Sequence, residues 1–148
     1  MRTRSAAILI QDDSIALIER HRTGMHYFTF PGGGVNEGET PEQAVVREVH
    51  EELGVEVRVQ RLAAKIWFRG KPQFFFLVDQ VDGEFGTGTG EEYAPDRDPA
   101  RGTYHPIWMP IHDITINNVL PKEVAMLVRR SYTGGWSGEP VTIYEEPK

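Results

Sequence analysis

Glu48, Glu51 and Glu52 stand at positions i, i+3 and i+4. On a helix this spacing gathers three carboxylates into an arc of roughly 100°. Like charges so placed raise one another's proton affinity and weaken the helix by roughly 0.2–0.5 kcal/mol per pair unless a cation answers them. A divalent ion does so, and hard carboxylate oxygens suit magnesium or manganese. Arg47 adds a guanidinium able to orient a carboxylate through two hydrogen bonds. The competing reading is a solvated acidic helix face with a surface ion pair. Upstream, Gly32-Gly33-Gly34 permits a sharp backbone approach, and a carbonyl of such a run can complete an oxygen shell. The run continues into neither Gly-Lys-Ser nor Gly-Lys-Thr and lacks the dinucleotide-binding spacing, which disfavours ATP binding by either route.

These residues need a helix with a defined start. Thr40 supplies a cap, Pro41 suits the first helical position, and Gln43 is the return partner of a capping box. The helix is therefore expected from Thr40 to Leu53, with Gly54 ending it and Val45, Val46, Val49 and Leu53 as its apolar arc. The acids flank that arc, at the rim of the core.

The remaining elements follow from periodicity. Ala6–Ile10 and Ser14–Ile18 read as a hairpin turning at Asp12-Asp13, followed by a basic, histidine-containing loop and a short strand at Tyr27–Phe30. Alternation in Val55, Val57 and Val59 changes phase near Gln60-Arg61, which predicts a bulge before Leu62–Phe68. The unbroken apolar run Phe74–Val78 predicts a central strand covered on both faces. Asp82–Gly102 reads as turns and a mobile loop, with Gly86–Gly90 as a candidate lid. A strand at Tyr104–Met109, a second amphipathic helix at Pro121–Tyr132 and a last strand at Val141–Tyr144 complete the chain. The expected class is α+β: a mixed β-sheet flanked by helices, an α/β/α sandwich rather than a doubly wound nucleotide fold.

The chain has 148 residues, no cysteine and a net charge of -6. Its length is enough for one domain, residues 1–148, to bury about two-thirds of its unfolded surface without disulfides. Thiolate chemistry and cysteine-ligated zinc are excluded. No stretch reaches the roughly 20 apolar residues of a membrane span, and Gln11-Asp12-Asp13 cuts short a start that superficially suggests an export signal. A cytoplasmic location is the resulting default. The acidic balance argues against an extended nucleic-acid surface.

The segment from Gly33 to Val55 resembles the full signature of the Nudix hydrolases, G-x5-E-x7-R-E-U-x-E-E-x-G-U with U aliphatic. Gly33, Glu39, Arg47, Glu48, Val49, Glu51, Glu52, Gly54 and Val55 fill every specified position. The resemblance implies a metal-dependent pyrophosphohydrolase acting on a nucleoside diphosphate linked to a group X. It implies that Glu48, Glu51 and Glu52 bind Mg2+ or Mn2+ with help from the Gly32 carbonyl. Glu39 then acts as a supporting acid, Arg47 steadies a glutamate, and Gly33 and Gly54 shape the box. The family's general base is either a box glutamate or an acid from a later loop, here Glu91 or Glu92. A homodimer is a further implication. Compactness points to a nucleoside triphosphate or small nucleotide-sugar substrate. The proline marking ADP-ribose-preferring relatives has only a displaced counterpart in Pro72, and the coenzyme A signature is absent. A noncatalytic nucleotide or RNA-end binding module on the same fold is the alternative.

Beyond the box, Arg20, Arg22, His21 and His26 are candidates to meet phosphate, and Tyr27, Phe68 and Trp108 to stack on a base. Solvated-loop and core roles are the respective alternatives. His50, His105 and His112 show no ligand spacing.

Overall fold

A computed structural model describes residues 3–90 and 101–144. Strands β1 (Arg4–Gln11), β2 (Ser14–Arg22), β3 (Met25–Thr29) and β4 (Gly32–Gly34) lead into helix α1 (Pro41–Leu53). Strands β5 (Val55–Phe68), β6 (Lys71–Gly83) and β7 (Thr103–Pro110) follow. A short 3-10 turn at Ile111–Asp113, β8 (Val119–Leu120), α2 (Lys122–Gly134) and β9 (Val141–Tyr144) complete the order. The helix expectation holds in detail. Thr40 Oγ1 accepts from Gln43 N–H, Gln43 Oε1 accepts from Thr40 N–H, and Gly54 closes the helix at φ 80°.

The strands run in the order β8-β3-β2-β1-β6-β5-β9, with β4 paired to β1 and β7 to β2. β1 runs parallel to β6, whereas β5 and β6 are antiparallel, so the sheet is mixed. β6 is central, as its apolar run requires, and the β5–β6 register shifts between Val59 and Arg61, where the phase change lies.

Both faces are covered. Val45, Val49 and Leu53 of α1 are fully buried against Ala7, Leu9, Ile18 and Val78. On the other face Val124, Leu127 and Val128 of α2 pack with Ile8, Leu17, Phe30 and Phe75. Each such burial contributes about 1.5–3 kcal/mol, well above the few tenths lost to repulsion between α1 carboxylates. The apolar stripe therefore decides that α1 forms and leaves its acids at the rim.

Two sequence expectations change. The segment expected as a basic loop is hairpin: β2 extends to Arg22, β3 begins at Met25, and the turn is Thr23-Gly24 with φ of 47° and 77°. Cross-strand pairing of Arg20 with Tyr27 and His21 with His26 carries the strands past the last apolar residue. The expected lid at Gly86–Gly90 is instead docked on the end of α1. Gly86 and Thr87 N–H donate to the Leu53 carbonyl and Gly90 N–H to that of Glu51. A β-carbon on Gly88 would collide with the carbonyls of Glu51 and Glu52, so its missing side chain serves close packing against helix-end acceptors.

The fork in the sheet creates the site. β1 pairs with β2 only at Ile10 and Gln11, and β4 pairs with β1 at Arg4–Ala6. The three glycines of β4 thus lie where β1 and β2 separate, with α1 directly behind them. Among the described residues, no helix is long and apolar enough to cross a membrane.

Candidate active site

β4 offers α1 a backbone edge. Ala7 N–H donates to Pro31 O and Val35 N–H to Thr3 O, so the odd residues face β1 and the even residues face the other way. On that outer edge Gly34 O accepts from Arg47 and Gly32 N–H donates to Glu52 Oε1 at 2.6 Å. The same alternation turns the Gly32 carbonyl toward α1. Gly32 leaves no room for a side chain, and Gly33 makes room for the Glu48 carboxylate. A β-carbon on Gly32 would collide with the Ser5 carbonyl, and one on Gly33 would lie 2.5 Å from the Glu48 carboxyl carbon.

Arg47 gathers the acids. Its Nε and Nη2 donate to the two Glu39 oxygens at 2.8 and 3.0 Å, a paired contact, while Nη1 donates to Glu48 at 2.9 Å and Glu51 at 3.1 Å. These bonds hold the guanidinium still more firmly protonated than usual. The hydrogen bond to Glu39 is the main cause, burial opposes it, and Glu48 adds to it. The surface ion pair of the competing reading does not describe this network, because Glu39 and Glu48 are largely shielded and the guanidinium fork also reaches a backbone carbonyl. Glu52 is 5% exposed, with its carboxylate on the Gly32 amide.

Glu48, Glu51, Glu52, Arg47 and the three glycines line one polar pocket of about 510 Å3. Arg4, Arg20, Arg101 and Tyr104 also line it. Arg20 is held under the Tyr104 ring, 3.7 Å from its centroid, and donates to the backbone carbonyls of Thr103 and Arg101. The pocket meets an apolar cleft of about 630 Å3 at two shared residues, Arg4 and Thr29. Phe30, Ile66, Phe68, Phe74 and Phe75 line that cleft, with Leu120 and Pro121 at the start of α2. Carboxylates and guanidinium groups lining one pocket suit a hard divalent ion and an anionic ligand respectively.

A model of the NUDIX domain matches residues 1–130. The chain belongs to the Nudix family. Over 52 residues it is 50% identical to an RNA pyrophosphohydrolase of Actinobacillus succinogenes, covering 34% of this chain and 26% of that protein. Over 112 residues it is 31% identical to an RNA pyrophosphohydrolase of Mannheimia succiniciproducens, covering 63% of this chain and 56% of that one. These matches span between about a quarter and just over half of the relatives' lengths. A MutT structure from work on Aliivibrio salmonicida and Vibrio cholerae superimposes with a TM-score of 0.69 at 27% identity, covering 87% of this chain and 97% of that one.

Within the Nudix box, Gly33 and Gly54 serve close approach. Gly33 makes room for Glu48, and Gly54 lies against Thr87 of the docked loop. Outside the box the sequence-derived candidates separate. Arg20 lines the polar pocket and Phe68 the apolar cleft. Arg22 lies at the hairpin tip with His21 and His26, away from the acids. Tyr27 pairs with Arg20 across β2–β3, its ring 5.7 Å from the guanidinium, and lines neither space. Trp108 packs on Phe85, ring centroids 4.7 Å apart, against the α1-side core, outside both spaces. Glu91 and Glu92 fall outside the described residues. Phe30, one of the aromatics that the sequence offers for base stacking, lines the cleft, whereas sequence reasoning missed Arg4, Tyr104, Phe74 and Phe75. Phe74 and Phe75 were legible only as core, and nothing local linked Arg4 or Tyr104 to Glu48.

Proposed function

We propose that this Nudix protein hydrolyses a phosphoanhydride bond in a nucleotide-linked substrate, with the phosphates in the polar pocket and the base or group X in the apolar cleft. The observation that carries the reading is that the two spaces adjoin, sharing Arg4 and Thr29 in their linings. A diphosphate bridge joined to a flat apolar ring needs such a two-part site.

Glu48, Glu51 and Glu52, with the Gly32 carbonyl, would hold Mg2+ or Mn2+. A bound ion of this kind neutralises phosphate oxygens and lowers the pKa of water. Arg47 keeps Glu48 and Glu51 on the pocket wall. Arg20 and Arg4, which line the same pocket, would meet the anionic substrate, and Phe68 would cover the apolar end. A box glutamate, Glu91 or Glu92 would take the proton from the attacking water.

The substrate class we favour is a nucleoside triphosphate or a small nucleotide sugar, because an apolar cleft of about 630 Å3 falls in the range of small-molecule sites. A second reading, the 5′-triphosphate end of RNA, is supported by the names of the aligned relatives. The deciding experiment is a product assay with Mg2+ or Mn2+ on nucleoside triphosphates, nucleotide sugars, ADP-ribose and a 5′-triphosphorylated oligoribonucleotide. Metal-dependent release of pyrophosphate or a nucleoside monophosphate is expected, with the monomeric substrates turning over fastest. Faster turnover of the RNA end would select the second reading. Nucleotide binding with no product from any substrate would reduce the protein to a binding module.

A further inference from the structure

Alternation along β2 sends its side chains to opposite faces. Ala16, Ile18 and Arg20 point to the α1 side, where Arg20 meets the polar pocket. Leu17, Glu19 and His21 point to the α2 side. Cross-strand partners share a face, so His26 lies with His21 and Phe28 with Glu19. The two histidines expected to meet phosphate therefore face away from it.

On that outer face the His21 and His26 rings stack, centroids 4.2 Å apart and planes within 3°. His26 Nε2 lies 2.7 Å from Glu19 Oε2. One ligand atom from each of Glu19, His21 and His26 falls within 4.8 Å of the others, the one group of three acidic, histidine or cysteine side chains drawn that close among the described residues; Glu48, Glu51 and Glu52 do not converge to that distance. We propose that these three side chains form a second metal site, selective for a borderline divalent ion of the zinc, cobalt or nickel class.

The donor set supports the choice. Two imidazoles and one carboxylate suit those ions, whereas magnesium takes oxygen donors and dehydrates reluctantly. Bonds of about 2.0–2.2 Å place tetrahedral donors about 3.3 Å apart, so binding turns the stacked rings out of their parallel planes until both nitrogen lone pairs meet one ion. The ion replaces the proton shared by His26 and Glu19. The backbone beneath is set already: the Thr23-Gly24 turn fixes the β2–β3 register, and Arg20 ties β2 to residues 101 and 103. Glu19 is partly and both histidines largely open to solvent, which provides an entry path and leaves coordination positions for water. His105 of β7 stands directly across from Glu19 and adds a third imidazole to the same face. Occupancy would clamp the hairpin whose reverse side presents Arg20.

The test uses untagged protein stripped of metal and then held in excess Mg2+, which occupies the oxygen-rich pocket. Zn2+ is titrated by calorimetry, and Co2+ by its visible absorption. One equivalent is expected to bind with an imidazole-type Co2+ spectrum. His21→Ala and His26→Ala are expected to weaken binding at least tenfold and to remove the Zn2+-dependent rise in Tm. Glu52→Gln should retain both signals. Circular dichroism without metal checks that each variant folds, and His26→Gln, which keeps a polar side chain on the strand, serves if the alanine variant does not. No uptake by the parent protein, equal uptake in the histidine variants, or loss of uptake only in Glu52→Gln would overturn the proposal.

Discussion

Gly33 and Glu48 are in direct contact: a β-carbon on residue 33 would stand 2.5 Å from both the Glu48 carboxyl carbon and Oε1. The glycine is therefore part of how the acid is positioned. Gly33→Ala should push Glu48 from the pocket wall and lower kcat at least tenfold. Gly33 has no positive φ among the backbone exceptions, so the strand itself accepts alanine and Tm should change by only a few degrees. Steady-state kinetics beside a thermal melt read the two effects. Unchanged kcat would show that Glu48 tolerates displacement.

Glu52 separates charge from fold. Its Oε1 accepts from the Gly32 amide, and a glutamine oxygen at the same place can accept that bond. Glu52→Gln should therefore fold with a Tm close to the parent's while losing about a hundredfold or more in metal-dependent kcat, because the proposed metal set loses one anionic ligand. Parent-like turnover at saturating Mg2+ would remove Glu52 from the metal set.

Arg47 is a fork, and lysine is not. Arg47→Lys keeps a positive charge but cannot meet both Glu39 oxygens while also reaching Glu48, Glu51 and the Gly34 carbonyl. The expected loss is about 1–3 kcal/mol of stability for this partly shielded network, read by urea unfolding, together with a fall in kcat. A stability change below about 0.5 kcal/mol would mean that the network contributes no more than exposed ion pairs do.

Phe68 and Trp108 should respond in opposite ways. Phe68 lines the apolar cleft, so Phe68→Ala is expected to raise KM severalfold with a small change in stability. Trp108 packs on Phe85 and the α1-side core, so Trp108→Ala is expected to cost about 2–4 kcal/mol of stability with a smaller change in KM. Calorimetric nucleotide binding and denaturant titration on both variants decide the assignment, and the reverse pattern would move the base-binding surface to Trp108.

The chain itself specifies what short-range chemistry can specify. Thr40, Pro41 and Gln43 start a helix, Gly54 stops it, and a period of 3.6 residues places Glu48, Glu51 and Glu52 beside a valine stripe, so the acid cluster and its helix are legible in one segment. The central strand and the β5 bulge are legible for the same reason, since apolar periodicity is local. Tertiary structure alone decided which distant residues face those acids. Arg4 reaches the pocket because β1 separates from β2, Arg20 because pairing with β3 and β7 extends β2 beyond its apolar run, and the phenylalanine cleft forms because α2 closes against the face of the sheet opposite α1. It also turned the glycine run at 86–90 from a candidate lid into a cap on α1, and His21 and His26 away from phosphate. Those outcomes depend on strand order and cross-strand register, which are set by the packing of the whole sheet and leave no mark on the spacing of neighbouring residues.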